Sequence, residues 1–379
     1  MTLPRLALVA LLALFTAAGS RADDWVYFGT YTGGKGFAAS KGIYRSKLDT
    51  ATGKLTAPEL AAEMGSPSFL AIHPTNKFLY AVGEGGGKDG GPVVAFSIDA
   101  KSGALTKLNE DKSGGSGPCH ISIHPRGVFA IVANYGGGST AVFKIGEDGK
   151  LDGRTDFVQH TGSGPNAGRQ KEPHAHCAFF DRSGSAAYSV DLGIDKMKVF
   201  SFDWVKGGLK ELPFQDVTTP PGSGPRHVAF AADGKFAYIC GELDSTVNVA
   251  TIDLAAGKNT VIQSLSTLPA PHKGNSTAEC ILHPNGKFVY VSNRGHNSIA
   301  VFKVNDDRKL TAAGHITGEI KVPRNFNIDP SGKWMLIASQ DGDGVGVWEL
   351  DPATGLGKQT PHAVVVGRPV CVKFVPVAK

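Results

Sequence analysis

A motif of about fifty residues recurs along the chain, and it leaves few folds open. Each copy reads as an apolar run, a turn and a second apolar run, as in Ser68–Tyr80 (SFLAIHPTNKFLY) and Arg226–Tyr238 (RHVAFAADGKFAY). The Asn or Gly that closes each turn tolerates the positive φ that a tight hairpin requires. These residues are Asn76, Gly127, Gly184, Gly234, Gly286 and Gly332, spaced 46 to 57 apart. Repeats of that period with β content indicate propeller blades of four strands each. A third strand is predicted after each hairpin, over 42–48, 93–98, 140–145, 197–202, 246–252, 298–304 and 344–350. The first-strand signal also occurs seven times, the last at 369–375, where the chain ends before a partner can follow. Trp25–Gly29 reads like the missing second strand and precedes an orphan third strand. The predicted fold is all-β: one seven-bladed β-propeller, four strands per blade, its ring closed by pairing the N-terminal strands with the C-terminal strand. Closure of that kind leaves no sheet edge open to aggregation.

The first twenty-two residues stand outside the repeat. Met1–Arg5 is a short basic start, Leu6–Phe15 is continuously apolar, and small Ser20 and Ala22 sit two apart. That order is a secretory signal peptide cleaved after Ala22. The run is shorter than the roughly 20 apolar residues that span a bilayer. The domain reading is therefore 1–22 signal peptide and 23–379 propeller, with the mature protein exported, periplasmic or secreted, as a monomer without a membrane span. Lys and Arg total 39 against 34 Asp and Glu, a net charge of +5 to which Arg5 and Arg21 contribute two. So small an excess argues against nucleic acid or an anionic membrane as partner. The five cysteines are odd in number, lack C-x-x-C spacing and lie in apolar runs. They read as core residues, not as a disulfide framework or a metal site.

Chemistry is expected where the repeat breaks its apolar rule. Eight residues either side of each turn anchor lie the start of the first strand and the end of the second, which face each other in an antiparallel hairpin to within about a residue. The pairs are Ser68 with Glu84, Cys119 with Tyr135, His176 with Leu192, Arg226 with Glu242, Ala278 with Arg294, Arg324 with Gln340, and Val370 with Tyr31. First strands of a propeller surround its channel, so this layer is expected to ring one mouth. Three consecutive blades contribute His176, then Arg226 and Glu242, then Arg294. His174 precedes His176 by two and points the same way along a strand. His120, Asn134, Asp191, His227, Asn293 and Arg324 lie at or beside the layer as candidate substrate-binding residues. Guanidiniums, a carboxylate and imidazoles can hold an anion, stabilise an oxyanion and move a proton. The plainer alternatives are a buried Arg226–Glu242 ion pair bracing the channel, Arg294 capping a neighbouring loop, and satisfied core histidines at His174 and His176. A metal is not expected, because no carboxylate cluster accompanies those two imidazoles. His73, His124 and His283, each before Pro at the opposite end of the hairpin, read as structural.

The stretches Glu172–His176, Asp191–Asp195, Gly224–His227, Gly241–Leu243, Ser292–Arg294 and Pro323–Asp329 resemble the lactonase family of seven-bladed propellers, from about Trp25 to Phe374. That family contains the propeller-type 6-phosphogluconolactonases and the fungal carboxy-muconate cycloisomerases. The resemblance implies cofactor-free hydrolysis, or reversible closure, of a small anionic lactone at the channel mouth. It carries a catalytic constellation onto His174 or His176, Arg226, Glu242 and Arg294, the turn-anchored register favouring His176. Where relatives often have Asn-Glu-Leu-Asn, this chain has Gly241-Glu242-Leu243-Asp244, an added negative charge. Export separates such an enzyme from the phosphorylated sugar lactone of the cytosol. The competing expectations are hydrolysis of another lactone, a related cycloisomerisation, or a non-catalytic propeller that binds a ligand or a protein.

Overall fold

A computed structural model describes residues 23–33, 39–87 and 89–377; the leader read in residues 1–22 lies outside them. Seven antiparallel sheets follow one another. Blades 1 to 6 begin with the inner strands Pro67–Ile72, Pro118–Ile123, Ala175–Phe180, Pro225–Phe230, Ser276–Leu282 and Pro323–Ile328. Blade 7 has the order Pro369–Pro376, Asp24–Thr30, Gly42–Leu48, Glu59–Glu63, so both ends of the chain build it. Each inner strand touches the inner strands of both neighbours, and the last touches the first. Four strands per blade is the rule; blade 3 adds a short fifth, Val217–Thr218, against Lys196–Asp203. Among the described residues no helix is long and apolar enough to cross a membrane.

The core lies between blades. Val26 and Phe28 of blade 7 pack against Trp334, Leu336 and Val345 of blade 6, while Tyr27 and Ile43 pack toward blade 1. This follows from strand alternation, which sends successive side chains to opposite faces of each sheet. All six turn anchors adopt positive φ, from 60° at Asn76 to 81° at Gly332. On this face the blades are latched. Nε2 of His73, His124 and His283 donates to the turn carbonyls of Gly127, Gly184 and Gly332 in the next blade, at 3.0, 3.0 and 2.9 Å. The hydroxyls of Tyr27, Tyr80 and Tyr290 donate in the same way to Gly103, Gly149 and Gly355. The three His-Pro histidines are thus structural. All five cysteines are buried and unbridged, four of them in inner strands.

Every inner strand departs from regular pairing once, near the same end. Pro67 pairs with Gly83 but Phe69 with Val82; Ala175 pairs with Asp191 but Cys177 with Val190. One residue is left over in each blade: Ser68, Cys119, His176, Arg324 and Val370, with Arg226–His227 and Ala278–Glu279 sharing the irregularity in blades 4 and 5. The cross-strand partners differ from the expected ones by two residues, one of them owed to this β-bulge. Pro225 faces Gly241 and Ser276 faces Arg294.

Closure by the C-terminal strand has a measurable consequence. Val370, Cys371, Val372 and Val375 are at most 2% exposed, and burying each such side chain contributes about 1.5–3 kcal/mol. Their sum rivals the stability of a whole domain, about 5–15 kcal/mol. A chain truncated after Arg368 is therefore expected to lose its cooperative melt and to aggregate through the bared Asp24–Thr30 edge. A folded, monomeric truncation in circular dichroism and size-exclusion chromatography contradicts this account of closure.

Candidate active site

A bulge places an unpaired residue where its side chain can be re-aimed, and here the bulges converge. Ser68, Cys119, His176, Arg226, Arg324 and Val370 line one narrow cavity in the channel, together with Phe69, Glu84, His227 and Asn325. The seventh bulge contributes backbone, since the Ala278 carbonyl accepts from Arg226 Nη1 at 2.6 Å.

Glu242, 5% exposed, organises one side of this layer. Its Oε2 lies 2.8 Å from Arg226 Nε and 3.2 Å from Arg294 Nη2. Its Oε1 accepts from Arg169 Nη2 at 2.9 Å. Burial alone would push a carboxylate toward protonation; the guanidiniums of Arg294, Arg226 and Arg169 overcome it and hold Glu242 at about 2. Burial lowers Arg294 to about 10 despite Glu242, so it is still a cation at neutral pH. Arg294 Nη2 is anchored on the Thr277 carbonyl at 2.7 Å. Across the cavity, Glu84 accepts from the Tyr31 hydroxyl at 2.8 Å and lies 3.8 Å from Arg324, whose guanidinium covers the Tyr31 ring. Four guanidiniums thus face two carboxylates, an excess of positive charge in a desolvated place.

The histidines divide. His176 is buried, and desolvation followed by the Arg226 charge holds it well below the usual imidazole range, so it is neutral. His174 lies on the rim, stacked on Tyr135 with centroids 4.6 Å apart. Its Nδ1 donates to the Tyr135 carbonyl at 3.0 Å, which leaves Nε2 as the acceptor. His227 stands beside His176 in the cavity, with ring centroids 5.3 Å apart. His120 sits one step deeper, its Nε2 3.4 Å from Cys177 Sγ, beneath Phe69.

Of the eleven predicted residues, His176, Arg226, His227 and Arg324 line the cavity; Glu242 and Arg294 join it through Arg226, His174 and His120 stand beside it, and three are engaged elsewhere. Asp191 is buried and accepts from the His174 and Gly193 backbone amides and from His160 Nδ1. Asn293 knits Thr267, Asn275 and Ser298 together. Asn134 donates to Ser139. They tie second strands to the loops beside them. Asp244 likewise accepts from Thr246 Oγ1 at the turn, away from the cavity lining. Sequence reasoning missed Arg169, which reaches Glu242 from the long connection between blades 2 and 3, and Glu279, hidden in the blade 5 bulge. Only the length of that connection hinted at the first. A cavity of about 770 Å³ lies between blades 3 and 4 beside Phe179, Tyr188 and Phe230, and holds none of these site residues.

The family model described as "Lactonase, 7-bladed beta-propeller" matches residues 25–374. The chain is 38% identical over 350 residues to the 6-phosphogluconolactonase of Bacillus subtilis, covering 92% of this chain and 97% of that protein. It is 32% identical to the 6-phosphogluconolactonase of Formosa agariphila, covering 90% and 96%. The solved structure of the Pseudomonas aeruginosa periplasmic gluconolactonase superposes with a TM-score of 0.85 at 30% identity, over 94% of this chain and 100% of that one.

The charge of Glu242 predicts a pH signature. A folded pKa of about 2 against an ordinary 4.5 stabilises the fold by about 3 kcal/mol above the unfolded value. That contribution disappears as pH falls through the folded pKa. The wild type is therefore expected to lead Glu242→Gln in urea-unfolding stability near neutral pH, and the gap is expected to narrow steadily below about pH 4.5. A gap that does not change with pH contradicts the ion cluster.

Proposed function

The chain belongs to the lactonase family of seven-bladed β-propellers and is a 6-phosphogluconolactonase-like hydrolase; we propose that it opens a small, anionic sugar-acid lactone at the channel mouth where Arg226, Glu242 and Arg294 meet. The single observation that carries the reading is the surplus of guanidinium charge around that buried carboxylate. Arg294 and Arg324 attract the anionic group of the substrate. Arg226 and Arg294 polarise the lactone carbonyl and stabilise the oxyanion that forms when water adds to it. Glu242, engaged by three guanidiniums and held at about 2, is a poor proton acceptor; it fixes the arginines instead. One of the histidines at this mouth, His174, His176 or His227, then takes the proton from water.

The substrate follows from location. We infer that residues 1–22 are a signal peptide removed after Ala22, leaving 23–379 as an exported monomeric propeller. A periplasmic gluconolactonase among the similar structures supports that reading, and outside the cytosol the expected substrate class is a sugar-acid lactone whose negative charge need not come from phosphate.

The test is acid release from glucono-δ-lactone and from its 6-phosphate, measured against the spontaneous rate. Purified mature protein is expected to accelerate at least one. Arg294→Ala is expected to lower kcat/KM by about 10²–10³-fold, the cost of losing an oxyanion donor. No acceleration of either lactone overturns the reading in favour of a binding propeller. An Arg294→Ala variant of wild-type activity overturns the site assignment.

A further inference from the structure

Glu279 lies in the blade 5 bulge, 6% exposed, and the proposed chemistry leaves it unused. Its Oε1 is 2.8 Å from His227 Nδ1 and also accepts from the Cys280 amide; its Oε2 accepts from Asn325 Nδ2. Asn325 is itself fixed, its Oδ1 accepting from the Val372 amide at 2.9 Å. A carboxylate can only accept from the imidazole, so Nδ1 of His227 carries the proton and Nε2 presents a lone pair. That Nε2 is buried and has no hydrogen-bond partner among the described residues. The ring lines the narrow cavity beside His176, Arg226 and Arg324. The cavity offers about 10 Å³ to water, room for one molecule.

We propose that the His227–Glu279 pair is the general base of the lactonase reaction, with His227 taking a proton from a water seated in this pit and Glu279 acting as its positioning residue. The proposal rests on the lactonase reading above and assigns the proton acceptor that reading leaves open. The pair repeats the logic by which a carboxylate fixes the tautomer of a catalytic imidazole and stabilises the imidazolium it becomes. The water oxygen bonds to the lactone carbonyl carbon as its proton moves to His227 Nε2. The tetrahedral oxyanion collapses, the ring C–O bond breaks, and the proton passes from His227 to the departing ring oxygen. Lactone and water become hydroxy acid, with no other reactant required.

The groups facing His227 set its titration. Phe69, His120 and His176 surround the ring, with Arg226 and Arg324 on the mouth side, Glu279 at Nδ1, and Lys373 beyond Glu279. Burial lowers the imidazole below its ordinary 6.5, and Glu279 opposes that shift. His227 is therefore neutral and able to accept a proton at pH 7, and loss of the Glu279 charge must lower it further.

The test is the pH profile of kcat on whichever lactone the wild type opens, for wild type, His227→Gln, Glu279→Gln and His176→Gln. His227→Gln is expected to lose about 10²–10⁴-fold in kcat with KM changed by less than about threefold. Glu279→Gln is expected to lose about tenfold or more, with the acid limb moved to lower pH, a displacement that a purely structural role would not produce. Because both residues are buried, nitrogen-15 spectra of the unmutated protein supply a second reading: His227 Nδ1 must be the protonated nitrogen and Nε2 the bare one. An inactive wild type overturns the function and the pair together. An active wild type whose His227→Gln variant keeps kcat within about threefold, or whose His227 carries its proton on Nε2, overturns the pair alone.

Discussion

Each blade enters the channel through a strand that carries one residue more than its partner can pair with. That constraint, repeated seven times at one level, makes the site. A regular strand would send alternate side chains into the two neighbouring blade interfaces, which are largely apolar. The bulge frees His176, Arg226 and Arg324 from that alternation and turns them to the axis. It also frees backbone, so that the Ala278 carbonyl holds Arg226 where its own side chain could hold nothing. The opposite face shows the contrast. There the hairpin turns stay regular, and their polar groups are spent on interblade latches such as His124 to Gly184.

Charge decides what such a ring can do. Gathering four guanidiniums, three of them largely buried, is costly unless counter-charges are supplied. Glu242 and Glu84 supply two, which keeps the cluster folded without neutralising it. The remainder is an excess of positive charge that suits the anion of the proposed reaction, and low local dielectric strengthens such an attraction. Burial, aided by the same field, depresses the neighbouring imidazoles, so His176 and His227 stay neutral beside the cations. Below this layer, Glu279 balances His227 locally and belongs to a separate hydrogen-bond system.

The blade count, the ring closure and the level of the channel layer were legible from the sequence because they depend only on turn spacing and apolar runs. Asn76, Gly127, Gly184 and their counterparts mark every hairpin, and each lies where a positive φ is required. Cross-strand partners were read two residues out, because a bulge leaves no compositional trace and a one-residue slip exchanges the faces of a strand. For the same reason Glu279, one residue past Ala278, was not marked as a site residue. Asp191 and Asn293 lie at the right height but face the loops they brace, a distinction set by sheet geometry and not by residue type. Arg169 comes from a connection that belongs to no repeat, so no spacing rule reaches it.

The central claim is that the bulge layer is where the substrate's carboxyl-derived end and its anionic group are both held. A crystal structure of the protein with the aldonic acid product bound tests it most directly. The account predicts the product carboxylate within hydrogen-bond reach of Arg226 or Arg294, with Arg324 or Arg169 on the remaining polar groups. Product seated instead in the aromatic cavity between blades 3 and 4, beside Phe179 and Tyr188, or bound without contact to any of these arginines, contradicts it.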